Sequence, residues 1–155
     1  MSGSEILELL QGCEIFKGIQ KHNIDQISNF CRMETCAPGD YIFRQGDCGD
    51  LIYIIAEGHV FLERSMDLGT RKGTAVIGML SKGKVFGCWS TLLGKKHTLM
   101  CSAVCRKPTK VLLIKGTDLR EMMMEDNNLG FNLLERLSFL LLDRLRCAYR
   151  AMENI

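Results

Sequence analysis

A chain of 155 residues with 46% hydrophobic and 25% charged residues has the length of one domain and the composition of an ordinary globular protein. Its net charge of +2 sets up no field that would draw it to nucleic acid or to an anionic membrane. The acidic amino terminus, MSGSEILELLQG, lacks the basic start and long apolar run of a secretory signal. LSFLLL is cut off by Asp143 and Arg144, far short of the ~20 residues that span a bilayer. These features place the protein in the cytoplasm, with no membrane partner.

The first zone, residues 1–33, reads as helical. SEILELL clusters its apolar residues, and NIDQISNF puts Ile24, Ile27 and Phe30 on one face. Asn23 with Gln26 is expected to form a capping box that opens this second helix. Residues 34–116 change texture. Short apolar runs (DYIFR, LIYIIA, HVFLER, TAVIGML, KVLLI) alternate with turn signals such as PGD, QGDCGD, EGH and SKGK. In HVFLER, Val60 and Leu62 alternate with His59 and Glu63, so one face is buried. Many short strands at this spacing mean a sandwich, a barrel or a roll. Residues 117–155 return to helix. Thr117 and Asp118 start one helix, NNLG is expected to break it, and a longer helix runs from about Phe131 to Met152. Leu134, Leu137, Leu141, Leu145, Ala148 and Met152 form a stripe at spacings of three and four along it.

Eight cysteines are many for such a chain: Cys13, Cys31, Cys36, Cys48, Cys88, Cys101, Cys105 and Cys147. None makes a CxxC pair, so the usual spacing of zinc and thioredoxin-like sites is missing, and no metal ligand set is assigned. They are expected to be reduced, mostly buried, apolar thiols. Cys101 and Cys105, four apart on one expected strand, and Cys31 and Cys36 keep open a redox or metal sensor as the alternative reading. His22, His59 and His97 are scattered, and there is neither a nucleophile elbow nor a P-loop. No catalytic residue is therefore assigned.

Between residues 38 and 60 the chain reads PGDYIFRQGDCGDLIYIIAEGHV, followed later by IGMLSKGKVFG and SAVCRKPTKVLLIKGTDL. This extended pattern resembles the cyclic nucleotide-binding domain superfamily, the sensor domain of catabolite activator-like proteins. Gly39, Gly46, Gly49 and Gly58 stand at its tight turns, where positive φ is needed. The resemblance covers about residues 12–150. It implies a mainly β fold: an antiparallel, jelly-roll-like β-roll with flanking helices and a long carboxy-terminal helix, one domain over residues 1–155. The resemblance further implies that ligand is held between roll and helix, and that a short phosphate-binding helix follows Phe86 and Gly87. In FGCWSTLLG the resemblance implies that Gly87, Cys88 and Trp89 offer backbone amides and Ser90 a hydroxyl.

Two anchors of that family are missing. Its members carry Glu directly after Phe-Gly and Arg about a dozen residues on. Here those positions are Cys88 (Trp89 after a one-residue slip) and Met100 (or Leu99), beside Cys101 and Ser102. Loss of one partner from a buried charged pair costs ~2–5 kcal/mol, roughly thirty- to several-thousand-fold in affinity. Lys95, Lys96 and His97 lie upstream as partial substitutes. Trp89 and Met100 instead favour a more apolar or aromatic ligand. The expectation is a non-catalytic sensor that binds cyclic AMP or cyclic GMP weakly, or another small anionic or aromatic molecule. The long helix is expected to join a homodimer through Leu134, Leu137, Leu141, Leu145 and Ala148. Arg144, Arg146 and Arg150 are assigned to a solvated face, and with the chain ending at Ile155 it is not expected to bind DNA directly. The downstream protein partner is unknown.

Overall fold

In Leu51–Glu57 (β3) five consecutive residues, Ile52 to Ala56, are buried, a pattern that one-sided sheets do not show. The cause is visible in a computed structural model that describes residues 3–95 and 97–154. Strand β3 is central in a sheet covered on both faces. Ile52, Ile54 and Ala56 face a layer of helices, together with Val85, Leu112 and Ile114 of neighbouring strands. Tyr53 and Ile55, with Phe86, Val111 and Leu113, face the interior of the roll.

Before β3 come α1 (Gly3–Gly12), α2 (Lys21–Ser28), β1 (Arg32–Cys36) and β2 (Tyr41–Phe43); after it come β4 (Val60–Asp67), β5 (Lys72–Leu80) and β6 (Val85–Gly87). A short 3-10 helix, Trp89–Leu93, precedes β7 (Ser102–Val104) and β8 (Thr109–Lys115), and the chain closes with α3 (Gly116–Glu125) and α4 (Asn127–Met152). The strands form two four-stranded sheets, β1-β8-β3-β6 and β2-β7-β4-β5, paired antiparallel throughout. Among the described residues no strand lies beyond Lys115. This is the expected β-roll with flanking helices. Its interior is filled by Phe43, Tyr53 and Phe86; Tyr53 and Phe86 stack with ring centroids 5.0 Å apart.

Several local expectations need correction. The capping box does not form: α2 begins at Lys21, so Asn23 lies inside its first turn, and Gln20 provides no side-chain cap. Phe30 falls beyond the helix and is exposed, whereas Ile24 and Ile27 are buried as expected. NNLG is no break. Asp126 accepts from the amides of Asn128 and Leu129 and caps α4, which therefore starts at Asn127 rather than Phe131. Helix α3 starts at Gly116, one residue before Thr117, and because a Cβ at position 116 would overlap Thr91 Oγ1, only glycine lets it seat against the 3-10 helix. Gly39, Gly46 and Gly58 have φ near +90°, but Gly49 has ordinary backbone geometry. Strand β1 starts two residues before the expected start of the roll. It has one buried residue, Cys36, and so no apolar signal.

Candidate functional site

Strand β6 ends in Phe86, buried in the roll, and Gly87. Gly87 has φ +118°, and a Cβ there would stand 2.6 Å from the Leu51 carbonyl oxygen, so the chain can leave the sheet here only through glycine. The turn is tightly built. Thr91 Oγ1 donates to the Cys88 carbonyl at 2.8 Å, Cys88 Sγ and Ser90 Oγ are 3.3 Å apart, and Arg120 of α3 donates to the Leu92 carbonyl at 3.0 Å. Cys88, where the family places Glu, is 3% exposed. Its amide, expected to face phosphate, instead donates to the Leu51 carbonyl at 3.0 Å.

The sequence-derived site residues do not all converge. Phe86 and Cys101 face the roll interior. Trp89 is half-buried and packs against the core on the helix side of the sheet, whereas Cys101 packs against the roll interior. Ser102 opens β7, where its hydroxyl accepts from the Gln45 amide at 2.8 Å. Met100 is 73% exposed and is engaged through its carbonyl, which accepts from Arg64 Nη1 of β4. Lys95 and His97 line a different, outer cleft of about 740 Å³ with Cys48, Asp50, Arg120 and Glu121. Lys96 lies outside the described residues.

The main surprise is Arg144. Arg146 and Arg150 are exposed as expected, but the Arg144 side chain is only 15% exposed. Its Nη2 donates to Glu14 Oε1 at 2.8 Å and to the Val85 carbonyl at 2.7 Å, and its Nη1 donates to Asp143 at 3.1 Å. Its Nε is buried without a partner. Glu14 also accepts from the Val85 amide at 2.8 Å and lies 3.4 Å from Lys84. One guanidinium thus ties α4 to the amino-terminal turn and to the strand that leads into Phe86 and Gly87. The signal was present: Arg144 lies four residues after Leu140 and seven after Leu137, on the buried stripe. Near the far end of α4 a second cleft, about 520 Å³, lies between the β4–β5 hairpin (Met66, Lys72, Val76) and Ala151 with Asn154. Its size suits a small ligand.

All eight cysteines are unpaired by disulfides, but they do not associate as the spacing implied. Cys101 and Cys105 flank β7, and the thiol whose protonation is linked to that of Cys105 is Cys36. Burial pushes the Cys13, Cys31 and Cys36 thiols up to about 12, and raises Cys101 and Cys105 as well. Among the described residues no group of three side chains is placed to hold a metal ion. None of the helices is long and apolar enough to cross a membrane, again among the described residues.

The two-sheet roll, the glycine exit from β6 and the short helix behind it define an antiparallel β-roll domain with flanking helices. Residues 33–126, more than half of the chain, match the cyclic nucleotide-binding domain family, and the chain belongs to that family. It is 29% identical over 132 residues to the cyclic AMP receptor protein of Thermus thermophilus, covering 83% of this chain and 59% of that protein. It is 25% identical over 118 residues to a cGMP-dependent protein kinase of Plasmodium berghei, covering 71% of this chain and 13% of the kinase. The chain thus spans less than two thirds of either relative. A cyclic nucleotide-binding domain from Methylobacillus flagellatus has the same fold, with a TM-score of 0.78 and 22% identity over 99% of this chain and 84% of that one.

Proposed function

We propose that the chain, as one domain over residues 1–155, is a non-catalytic regulatory sensor. Its ligand is a cyclic nucleotide, cyclic AMP or cyclic GMP, or a related small anionic or aromatic molecule, held between the roll and α4. The observation that carries this reading is the built turn after Gly87 in a member of this family, with uncharged Cys88 and Met100 at the anchor positions. Cyclic nucleotide binding is correspondingly weak. A phosphodiester keeps its charge when buried, and neither Met100 nor Cys88 can meet it or the ribose hydroxyl with a charged group.

The exposed face of α4 supports a homodimer. Leu141, Leu145, Tyr149 and Met152 are 39–62% exposed and recur every three or four residues. Leu137, expected in that seam, is 2% exposed inside its own core, so the dimer face is rotated away from it. The unpaired thiols fit a reducing cytoplasm. The electrostatic coupling of Cys36 and Cys105 favours a thiol switch as second reading, but the raised thiol pKa values oppose it.

Calorimetry with cyclic AMP and cyclic GMP tests the first reading. Wild type binds weakly, and Cys88→Glu with Met100→Arg binds at least about tenfold tighter, in line with the worth of a charged pair. Tight wild-type binding, or no gain in a double variant that still folds, refutes the account of the anchors.

A further inference from the structure

We propose that Arg64 of β4 and Arg144 of α4 supply part of the anion-binding charge that position 100 lacks, enough for the weak binding proposed above. The inference rests on the sensor reading above and adds to it the residues that meet the phosphate. Strand β4 pairs with β7 through Phe61↔Val104, Leu62↔Ala103 and Glu63↔Ser102, which sets Arg64 level with Cys101. The register shift between β4 and β5 passes from Gly78 to Val76, so the extra residue is Ile77 in β5 and the alternation of β4 is unbroken. Val60 and Leu62 face the roll interior, and Arg64 therefore emerges on that same face, at its open end. Its guanidinium is held there by the Met100 carbonyl, and no carboxylate pairs with it among the described residues.

Arg144 approaches from the other side, bonded to the carbonyl of Val85, one residue before the Phe86-Gly87 exit. Both positive charges act on the half-buried Cys101 thiol, lowering its pKa against the larger effect of burial. One arginine is thus bonded to the backbone at position 100 and the other to the backbone just before Phe86-Gly87, the two segments that carry the missing anchors. The Nε–H of Arg144, buried and unpartnered, is a donor still without an acceptor. A singly charged phosphodiester satisfies both requirements, because guanidinium offers several donors in a fixed fork. Glu14 competes for the same Arg144. Phosphate binding therefore draws on a contact that holds α4, and this couples the ligand to the helix that carries the exposed apolar stripe.

The test is calorimetry of the full chain with cyclic AMP, cyclic GMP, adenosine and inorganic phosphate, on wild type, Arg64→Gln and Glu14→Gln, with thermal melts to confirm folding. Arg64→Gln weakens the phosphate-bearing probes about tenfold or more and leaves adenosine unchanged; Glu14→Gln, by freeing Arg144, tightens them severalfold. If wild type binds a cyclic nucleotide and Arg64→Gln binds it equally well, the arginine assignment is overturned while the sensor reading stands. Unchanged affinity in Glu14→Gln removes Arg144 from the site. Arg64-dependent binding of inorganic phosphate without any cyclic nucleotide binding upholds the anion site and overturns the nucleotide reading. Binding of neither overturns both.

Discussion

Replacing Arg144 by Met keeps the length of the side chain and removes its charge and donors, leaving Glu14 Oε1 and the Val85 carbonyl each short of one partner. Both members of the ion pair are 15% exposed, so solvent only partly compensates. Breaking a fully buried pair costs about 3–5 kcal/mol, and one hydrogen bond to a charged group about 1.5–3 kcal/mol. Glu14 keeps Lys84 at 3.4 Å and the Val85 amide at 2.8 Å, which places the loss near the lower range, about 2–3 kcal/mol. For a chain of this size that lowers Tm by about 4–12 °C. Glu14→Gln retains the shape and an acceptor for Val85, so it costs less by itself. Because the two residues form one contact, their effects overlap. Urea denaturation of wild type, both single variants and the double variant gives a coupling of about 1–2 kcal/mol. Effects that add to within about 0.5 kcal/mol would mean that the pair contributes nothing as a pair, and the latch between α4, the amino-terminal turn and β6 would be abandoned.

Sedimentation at micromolar concentration is expected to show a dimer, with Leu141→Asp plus Leu145→Asp giving a folded monomer; Leu137→Asp, at a position 2% exposed, loses the fold instead. A monomeric wild type across that range ends the dimer proposal. Burial holds Cys13, Cys31 and Cys36 near 12 rather than 9.0, and Tyr53 near 12 rather than 10.0. The folded state keeps protons that the unfolded chain releases, so stability is full below pH 9.0 and falls as pH rises towards 12. Urea midpoints read this directly, and a flat profile across that window contradicts the burial argument. At pH 8 iodoacetamide modifies exposed Cys48 well before those three thiols. A Cys36–Cys105 disulfide forming faster under oxidised glutathione than any modification of Cys48 would put the thiol switch first.

Short apolar runs between glycine turns, with a 3.6-residue stripe after residue 116, were enough to expect strands and then helices, because burial of one face writes its period into the chain. The double burial of β3 and β8 is equally legible in LIYIIA and KVLLI, although period alone cannot tell a buried strand from a buried helix. Beyond that, local signals misled wherever a partner from elsewhere in the chain decided the outcome. NNLG looks like a break, but the Asp126 carboxylate caps the helix through it. Trp89 and Met100 read as one apolar pair, yet which side of the sheet Trp89 faces depends on where the 3-10 helix docks against α3. Cysteine spacing pointed to Cys101 with Cys105, whereas the roll brings Cys36, some seventy positions away, to Cys105. Arg144, Arg146 and Arg150, at helical spacing and followed by Glu153, read as one solvated face. The rotation of Arg144 about α4 turns it inward, and Glu14, 130 residues earlier, receives it. Periodicity reports only that a face is buried. What it is buried against is a property of long-range packing, and the contact of Arg144 is assembled from α4, β6 and the amino-terminal turn, which no local stretch of sequence contains.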